Sequence, residues 1–212
     1  VALPEHRSRL LAMGEEDWRV ITTGEPALTE LAHYAKAVPD IHATLGLKEK
    51  TPFVLATFHP TSFDAAPADK QIDVFLAALD TITDNIIITA PNPDAASRIF
   101  FDKLKAYAEK HVRVQLYESL GAEKYYAAMA QAKYMIGNSS SGLWEAPSFK
   151  LPVVNIGARQ QGRVHGDNVI HAPLDVLAIN AATSKAALPE FRASLSGRNP
   201  YAQYNTLPMI LD

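Results

Sequence analysis

The chain has 212 residues, of which 48% are hydrophobic and 20% are charged, and its formal net charge is −3. This composition excludes a disordered chain, and the lack of a basic excess argues against a nucleic-acid binder. The chain has no Cys for disulfides, and no apolar run approaches the ~20 residues that a membrane span requires. We therefore expect a cytoplasmic globular protein that contacts neither nucleic acid nor a membrane.

The first fifty residues predict two helices, a short strand and a linker. Residues 4–13 form the first predicted helix, which begins at a proline and stops at Gly14. A strand is predicted over residues 18–22, and a second helix over residues 26–37 because its leucines and alanines recur at helical spacing. Residues 38–50 show no clear period, and we interpret them as a linker.

From residue 53 onward, apolar strands alternate with helical stretches. Solidly apolar strands belong in a parallel sheet covered on both faces, and the repeated β–α–β order predicts an α/β, Rossmann-like, doubly wound fold. Strands are predicted at residues 53–58, 85–89, 112–117, 134–137, 153–156 and 169–171. Helices are predicted at residues 68–81, 97–110, 121–131, 141–149 and 174–187, with a last helix after residue 200.

Ligands of such sheets bind outside the carboxyl ends of the strands, so the residues that follow each strand are the candidate site. After the fourth strand come Asn138, three serines and Gly142. Small hydroxyl residues there cap a helix and offer donors to an anion such as a diphosphate. Glu145 lies further along, where a carboxylate would accept hydrogen bonds from ribose hydroxyls. The alternative is a plain helix cap with a surface glutamate.

Three further strand ends carry polar residues. His59 follows the first strand, where it would donate to a leaving phosphate; the alternative is a loop histidine bonded to backbone. Asn92 follows the second strand, between two prolines, and is either a ligand contact or part of a turn. Arg159 and Arg163 lie in a glycine-bounded loop that suits anion recognition, or that is merely solvated.

Common cofactor motifs do not occur in the sequence. The chain has no GxGxxG fingerprint, no phosphate loop of the GxxxxGK[ST] type and no GxSxG elbow. The remaining histidines show no metal-ligand spacing, so we expect no metal and no cofactor.

Four motifs, taken in chain order, resemble those of the UDP-N-acetylglucosamine 2-epimerase family. Their residues are most similar to those of its hydrolysing branch. They are Phe58-His59-Pro60, Gly137-Asn138-Ser139-Ser140-Ser141-Gly142, Glu145-Ala146-Pro147-Ser148-Phe149 and Ile156-Gly157-x-Arg159-Gln160-x-Gly162-Arg163. The resemblance implies a GT-B fold, in which two Rossmann-like domains enclose the active site. It also implies that this chain is a C-terminal portion: residues 1–45 a remnant of the first domain plus linker, 46–190 the UDP-binding domain, and 191–212 a helical tail.

The resemblance implies a UDP pocket in this chain. His59 matches the catalytic histidine implicated in the departure of UDP, and Glu145 matches the acid that binds ribose. The backbone of Leu120 would hold the uracil, and Arg159 would contact the diphosphate. The full set of substrate-binding positions is Asn92, Leu120, Ser139, Ser140, Ser141, Glu145 and Arg159.

The implied activity is release of UDP and N-acetylmannosamine, or a related sugar, from a UDP-amino sugar by elimination and then hydration. It belongs to nucleotide-sugar metabolism such as sialic acid biosynthesis. The carboxylates for proton transfer at C2 would lie outside this chain, so we expect the isolated chain to be inactive and the enzyme to be a homo-oligomer. Two alternatives are another GT-B glycosyltransferase that uses a UDP-sugar, and a non-catalytic UDP-binding module.

Overall fold

A computed structural model describes residues 1–62, 66–93 and 96–211 of the chain. In this part of the chain six parallel strands form one sheet in the order β3-β2-β1-β4-β5-β6. The strands are β1 (Phe53–Thr57), β2 (Asn85–Thr89), β3 (Val114–Tyr117), β4 (Met135–Gly137), β5 (Val153–Ile156) and β6 (Val169–Ala172). The predicted Rossmann-like, doubly wound sheet is therefore confirmed.

The helices that accompany the sheet follow the chain order of a doubly wound fold. They are α1 (Pro4–Ala12), α2 (Leu31–Ala37), α3 (Ile41–Thr44), α4 (Ala68–Leu79), α5 (Ser97–Lys110), α6 (Gly121–Gln131), α7 (Ser141–Trp144), α8 (Val176–Ala186), α9 (Pro189–Ser194) and α10 (Thr206–Leu211). Short 3₁₀ turns occupy Asp17–Arg19, Pro26–Leu28, Ala146–Phe149 and Pro200–Ala202. Among the described helices, none is both long and apolar enough to cross a membrane.

The sheet separates two hydrophobic clusters, because successive side chains of a strand point to opposite faces. Val54 and Ala56 of β1 pack with residues of α4, α5 and α8 on one face. Phe53 and Leu55 pack with residues of α6 on the other face. Burial of each large side chain contributes about 1.5–3 kcal/mol, and both faces of β1 are covered. This explains why the strand is apolar throughout.

The strand predicted over residues 18–22 is wrong. Residues 17–19 form a 3₁₀ turn, and Trp18 and Ile21 are mostly exposed. β-branched residues favour strands only where a neighbouring strand accepts their hydrogen bonds. Here the backbone carbonyl of Ile21 instead accepts a hydrogen bond from the amino group of Val1 at 2.7 Å.

Two predicted helices and the predicted linker also differ from the structure. The helix predicted over residues 26–37 is divided into a 3₁₀ turn and α2, and the helix over residues 141–149 ends at Trp144 and continues as a 3₁₀ turn that contains Pro147. The predicted linker contains α3. Ile41 and Leu45 are completely buried in the cluster that includes Phe53, so long-range packing orders a segment without local periodicity.

Candidate functional site

The carboxyl ends of β1, β2, β3 and β4 surround a cleft of about 450 Å³. Five of the predicted site residues line it: His59, Asn92, Leu120, Ser139 and Ser141. β1 and β4 are adjacent in the sheet although far apart in sequence, so their connections leave in opposite directions and open a crevice between them. The topology therefore brings together side chains that are far apart in sequence, such as those of His59 and Ser141.

Gly137 allows β4 to end directly against β1. Its φ is 139°, and a Cβ at this position would lie 1.8 Å from the carbonyl oxygen of Thr57. No side chain fits at that separation, so glycine is required there. The turn places Asn138 beside β1, and Ser139 and Ser141 line the cleft.

Asn138 connects the serine segment to His59. Its Oδ1 accepts the backbone N–H of His59 at 2.7 Å, and its Nδ2 donates to the carbonyl oxygen of His59 at 2.8 Å. The imidazole is fixed as well, because Nδ1 accepts the backbone N–H of Asn92 at 3.1 Å. A neutral ring in this arrangement carries its proton on Nε2, from which it can donate. The Asn92 contact is made through its backbone.

The serine hydroxyls are hydrogen-bonded to one another. The Oγ atoms of Ser139 and Ser141 lie 2.8 Å apart, and the Oγ of Ser141 lies 2.8 Å from the hydroxyl of Tyr125. Ser140 does not line the cleft; its carbonyl accepts the backbone N–H groups of Leu143 and Trp144. Because α7 has only four residues, the hydroxyls rather than a helix dipole would supply most of the donors to an anion.

Glu145 has a buried oxygen with unmet hydrogen-bonding capacity. Among the residues that the structure describes, none donates to its Oε2. Burial, with a smaller contribution from the charge of Glu25, raises the pKa of Glu145 to about 7. Its charge also acts on the cleft residue Tyr126, whose pKa is raised by burial and then by Glu145. A buried carboxylate of this kind is suited to accept hydrogen bonds from a polar ligand.

The loop after β5 reaches the serine segment from the other side. Arg159 Nη1 and Gln160 Nε2 donate to the carbonyl oxygen of Asn138 at 3.0 and 2.7 Å. This places the Arg159 guanidinium beside Asn138, the residue that precedes the serines. Arg163 points elsewhere: its guanidinium carbon lies 5.9 Å from the centre of the Trp144 ring.

The sequence did not identify Tyr125 or Gln160 as site residues. It also did not predict that the side chain of Asn138 would hold the backbone of His59, an arrangement that we call the Asn138 clamp. Tyr125 lies within an ordinary helical stretch, so no local signal distinguishes it from a core residue. Asn138 and Gln160 were part of the quoted motifs, and their almost complete burial is the property that marks them as structural partners of the site.

A second cavity of about 690 Å³ lies between the loops that follow β5 and β6. Gln160, Arg163, His165 and His171 contribute to its wall. The Nε2 atoms of the two histidines lie 3.2 Å apart. Within the described ranges, no group of three or more His, Asp or Glu side chains is placed to hold a metal ion.

The parallel sheet, with serines, a buried carboxylate and an arginine near its carboxyl edge, places the chain in the class of doubly wound α/β proteins, whose ligands bind at that edge. The sequence model of the UDP-N-acetylglucosamine 2-epimerase family matches residues 1–212. The chain therefore belongs to that family.

Curated relatives include hydrolysing enzymes. The GDP/UDP-N,N'-diacetylbacillosamine 2-epimerase (hydrolyzing) of Campylobacter jejuni is 35% identical over 190 residues, which are 88% of this chain and 49% of the relative. A polysialic acid biosynthesis protein of Escherichia coli is 31% identical over 207 residues, which are 96% of this chain and 52% of the relative. The chain thus spans about half the length of the curated relatives it matches.

Solved structures share the fold. The Staphylococcus aureus MnaA–UDP co-structure has a TM-score of 0.75 at 18% identity, and the match covers 100% of this chain and 57% of the S. aureus chain. The Neisseria meningitidis UDP-GlcNAc 2-epimerase bound to UDP-GlcNAc has a TM-score of 0.70 at 16% identity, and the match covers 100% of this chain and 58% of the N. meningitidis chain.

Proposed function

We propose that this chain is the UDP-binding C-terminal portion of a hydrolysing UDP-N-acetylglucosamine 2-epimerase. The observation that carries the proposal is the buried Oε2 of Glu145, to which no described residue donates. The backbone N–H of Glu145 donates to the carbonyl oxygen of Ser141, a residue of the cleft that also presents His59. The hydroxyls of a ribose would donate to Glu145, and a diphosphate would accept hydrogen bonds from the serine hydroxyls. The hydrolysing C. jejuni relative at 35% identity supports the subtype.

The nucleotide would extend across the carboxyl edge of the sheet. In this arrangement the uracil contacts the backbone of Leu120 beside Asn92, and the ribose hydroxyls donate to Glu145. The diphosphate lies against the serines, and the positive charge of Arg159 stabilises it electrostatically. His59 faces the oxygen that joins the diphosphate to the sugar. Ser139 and Ser141 would make the serine contacts through their hydroxyls, and Ser140, which lies between them outside the cleft lining, would contribute at most its backbone.

The proposed reaction has an elimination step and a hydration step. The bond between C1 and the phosphate oxygen breaks, its electron pair leaves with UDP, and a base removes the proton from C2. Water then adds across the resulting C1–C2 double bond, with OH at C1 and a proton at C2 on the opposite face. Hydrogen-bond donors at the departing diphosphate lower the barrier because negative charge increases there. His59 and Arg159 would provide these donors.

The proton transfers at C2 need carboxylates that we do not assign to this chain. The curated relatives are about twice as long, and we propose that the acid and base lie in the part of the enzyme before residue 1. Residues 1–45 would then belong to that first domain and its linker, 46–190 to the UDP-binding domain, and 191–212 to a helical tail. This chain alone would bind UDP without turnover, and the whole enzyme would be a cytoplasmic homo-oligomer.

Calorimetric titration tests the proposal. The chain should bind UDP and UDP-N-acetylglucosamine, and Glu145→Gln and Ser139→Ala should each weaken UDP binding about tenfold, as expected for the loss of one hydrogen bond to a charged partner. GDP is the control for base selectivity, since the C. jejuni relative is named for both nucleotides. Absence of UDP binding, or unchanged affinity in both variants, would overturn the proposal.

Product analysis of a full-length enzyme that contains this chain distinguishes the chemistry. Free UDP and a 2-epimerised amino sugar are expected. Transfer of the sugar to an acceptor would identify a glycosyltransferase instead.

A further inference from the structure

Five of the hydroxyl groups that line the cleft belong to Thr57, Thr89, Tyr125, Ser139 and Ser141. The Oγ1 atoms of Thr89 on β2 and Thr57 on β1 are hydrogen-bonded to each other. The hydroxyl of Tyr125 on α6 is hydrogen-bonded to Ser141, and Ser141 to Ser139, with 2.8 Å between successive oxygens. Tyr125, Ser141 and Ser139 therefore form one connected network, which joins α6 to the segment that follows β4.

The chemistry of these groups favours one direction of donation. Each hydroxyl has one hydrogen to donate, and it accepts through its lone pairs. A phenol is a stronger acid than an aliphatic alcohol, so Tyr125 is the better donor of the pair and Ser141 the better acceptor. Burial raises the pKa of Tyr125 to about 12, so its hydroxyl stays protonated at neutral pH. When Tyr125 donates to Ser141 and Ser141 donates to Ser139, the hydrogen of Ser139 is left to point into the cleft.

We propose that Tyr125 is a positioning residue, which orients the hydroxyl of Ser139 toward the diphosphate of bound UDP. This inference rests on the proposed function. Hydrogen bonds to an ionised acceptor are stronger than neutral ones, and hydrogen bonds in series polarise one another. A phosphate oxygen at the end of the network would therefore draw each hydroxyl hydrogen toward it.

Removal of the phenol hydroxyl breaks the network without changing the shape of the ring. In Tyr125→Phe, Ser141 loses its donor, and the hydroxyl of Ser139 becomes free to donate to Ser141 instead of to the ligand. UDP affinity should fall about tenfold, as expected for the weakening of one charge-assisted hydrogen bond. Uridine affinity should stay unchanged because uridine has no phosphate.

The experiment is a double-mutant cycle with both ligands. UDP and uridine are titrated into the unchanged chain, Tyr125→Phe, Ser139→Ala and the double variant. If the phenol acts through Ser139, the double variant binds UDP no more weakly than Ser139→Ala alone. The matched control is Tyr107→Phe. Tyr107 lies on α5, and its phenol hydroxyl donates to Asp80 at 2.8 Å. The UDP affinity of this variant should equal that of the unchanged chain.

The outcomes separate this inference from the proposed function. Equal loss of UDP and uridine binding in Tyr125→Phe, or losses that add in the double variant, would overturn the positioning role. If Ser139→Ala weakens UDP binding and Tyr125→Phe does not, only this inference fails. If Ser139→Ala and Glu145→Gln both leave UDP binding intact, the proposed function fails. Thermal unfolding checks each variant, and Ser141→Ala, which removes the middle hydroxyl, serves as the test should Tyr125→Phe not fold.

Discussion

The side-chain amide of Asn138 is hydrogen-bonded to both backbone polar groups of His59, with 2.7 Å to its nitrogen and 2.8 Å to its oxygen. The two residues are seventy-nine positions apart and end neighbouring strands. This pairing fixes the proposed catalytic histidine relative to the proposed phosphate-binding serines. The carbonyl oxygen of Asn138 in turn receives Arg159 and Gln160, so one residue organises both sides of the site.

Asn138→Ala should lower the free energy of unfolding by about 1–3 kcal/mol, because it removes the two buried hydrogen bonds between this side chain and the backbone of His59. UDP binding should weaken in the same variant, since both His59 and the serine segment lose their alignment. Chemical denaturation and calorimetry measure the two effects. Asn85→Ala, which removes one hydrogen bond of 3.3 Å to Pro52 at a partly exposed site, should change stability by less than about 0.5 kcal/mol.

Glu145 should make the stability of the chain depend on pH. Its pKa in the folded chain is about 7, against 4.5 as the ordinary value. Between these values the unfolded chain loses the proton while the folded chain keeps it, so stability falls as pH rises from about 4.5 to 7 and then levels off. Denaturation at pH 5 and pH 8 should show a loss of about 3 kcal/mol that is absent in Glu145→Gln. The same loss in the variant would assign it to another group.

Ligand affinity should depend on pH in the opposite direction. Ribose hydroxyls donate to the ionised carboxylate, so uridine should bind more tightly as pH rises through about 7. Uridine is the appropriate probe because it has no phosphate that titrates in this range. Calorimetry from pH 6 to pH 8 measures the trend, which Glu145→Gln should abolish. A flat profile in the unchanged chain would contradict contact between Glu145 and the ribose.

Gly137→Ala should prevent normal pairing of β1 and β4. The added Cβ would meet the carbonyl oxygen of Thr57 at 1.8 Å, and neither strand can move without disturbing the core. We expect a destabilisation of more than about 3 kcal/mol. Gly14→Ala is the matched control, because Gly14 has a φ of 100° and nothing within 4 Å of its added Cβ. It should cost only the ~1–2 kcal/mol of the backbone conformation, and equal losses would argue against the clash.

Arg159→Lys should weaken UDP binding while it preserves the charge. The planar guanidinium donates to Asn138 and can reach a phosphate at the same time, which the ammonium of lysine does less well. We expect about a tenfold loss for UDP and a smaller loss for uridine. Arg98→Lys, at a side chain that is 93% exposed, should leave both affinities unchanged. Equal effects on both ligands would place Arg159 outside the diphosphate site.

The sequence by itself determined the class of fold and the family. Predominantly apolar strands such as β1 and β5, which are buried at every position, are typical of a parallel sheet covered on both faces, so the parallel arrangement could be predicted from local composition. Polar residues after those strands marked the ligand edge, because parallel strands end together. The order of the motifs then indicated the epimerase family, and the family match over the whole chain confirms it.

Only the tertiary structure decided which groups are partners and which segments pack. The composition of residues 18–22 is typical of a strand, but in the part of the chain that the structure describes no strand pairs with them. Ile41 lies in an aperiodic segment, but long-range contacts bury it. The clamp of Asn138 on His59 and the contact of Tyr125 with Ser141 join residues on different elements. Local propensity acts over a few residues, whereas hydrogen bonds and burial depend on groups that meet only when the sheet has formed.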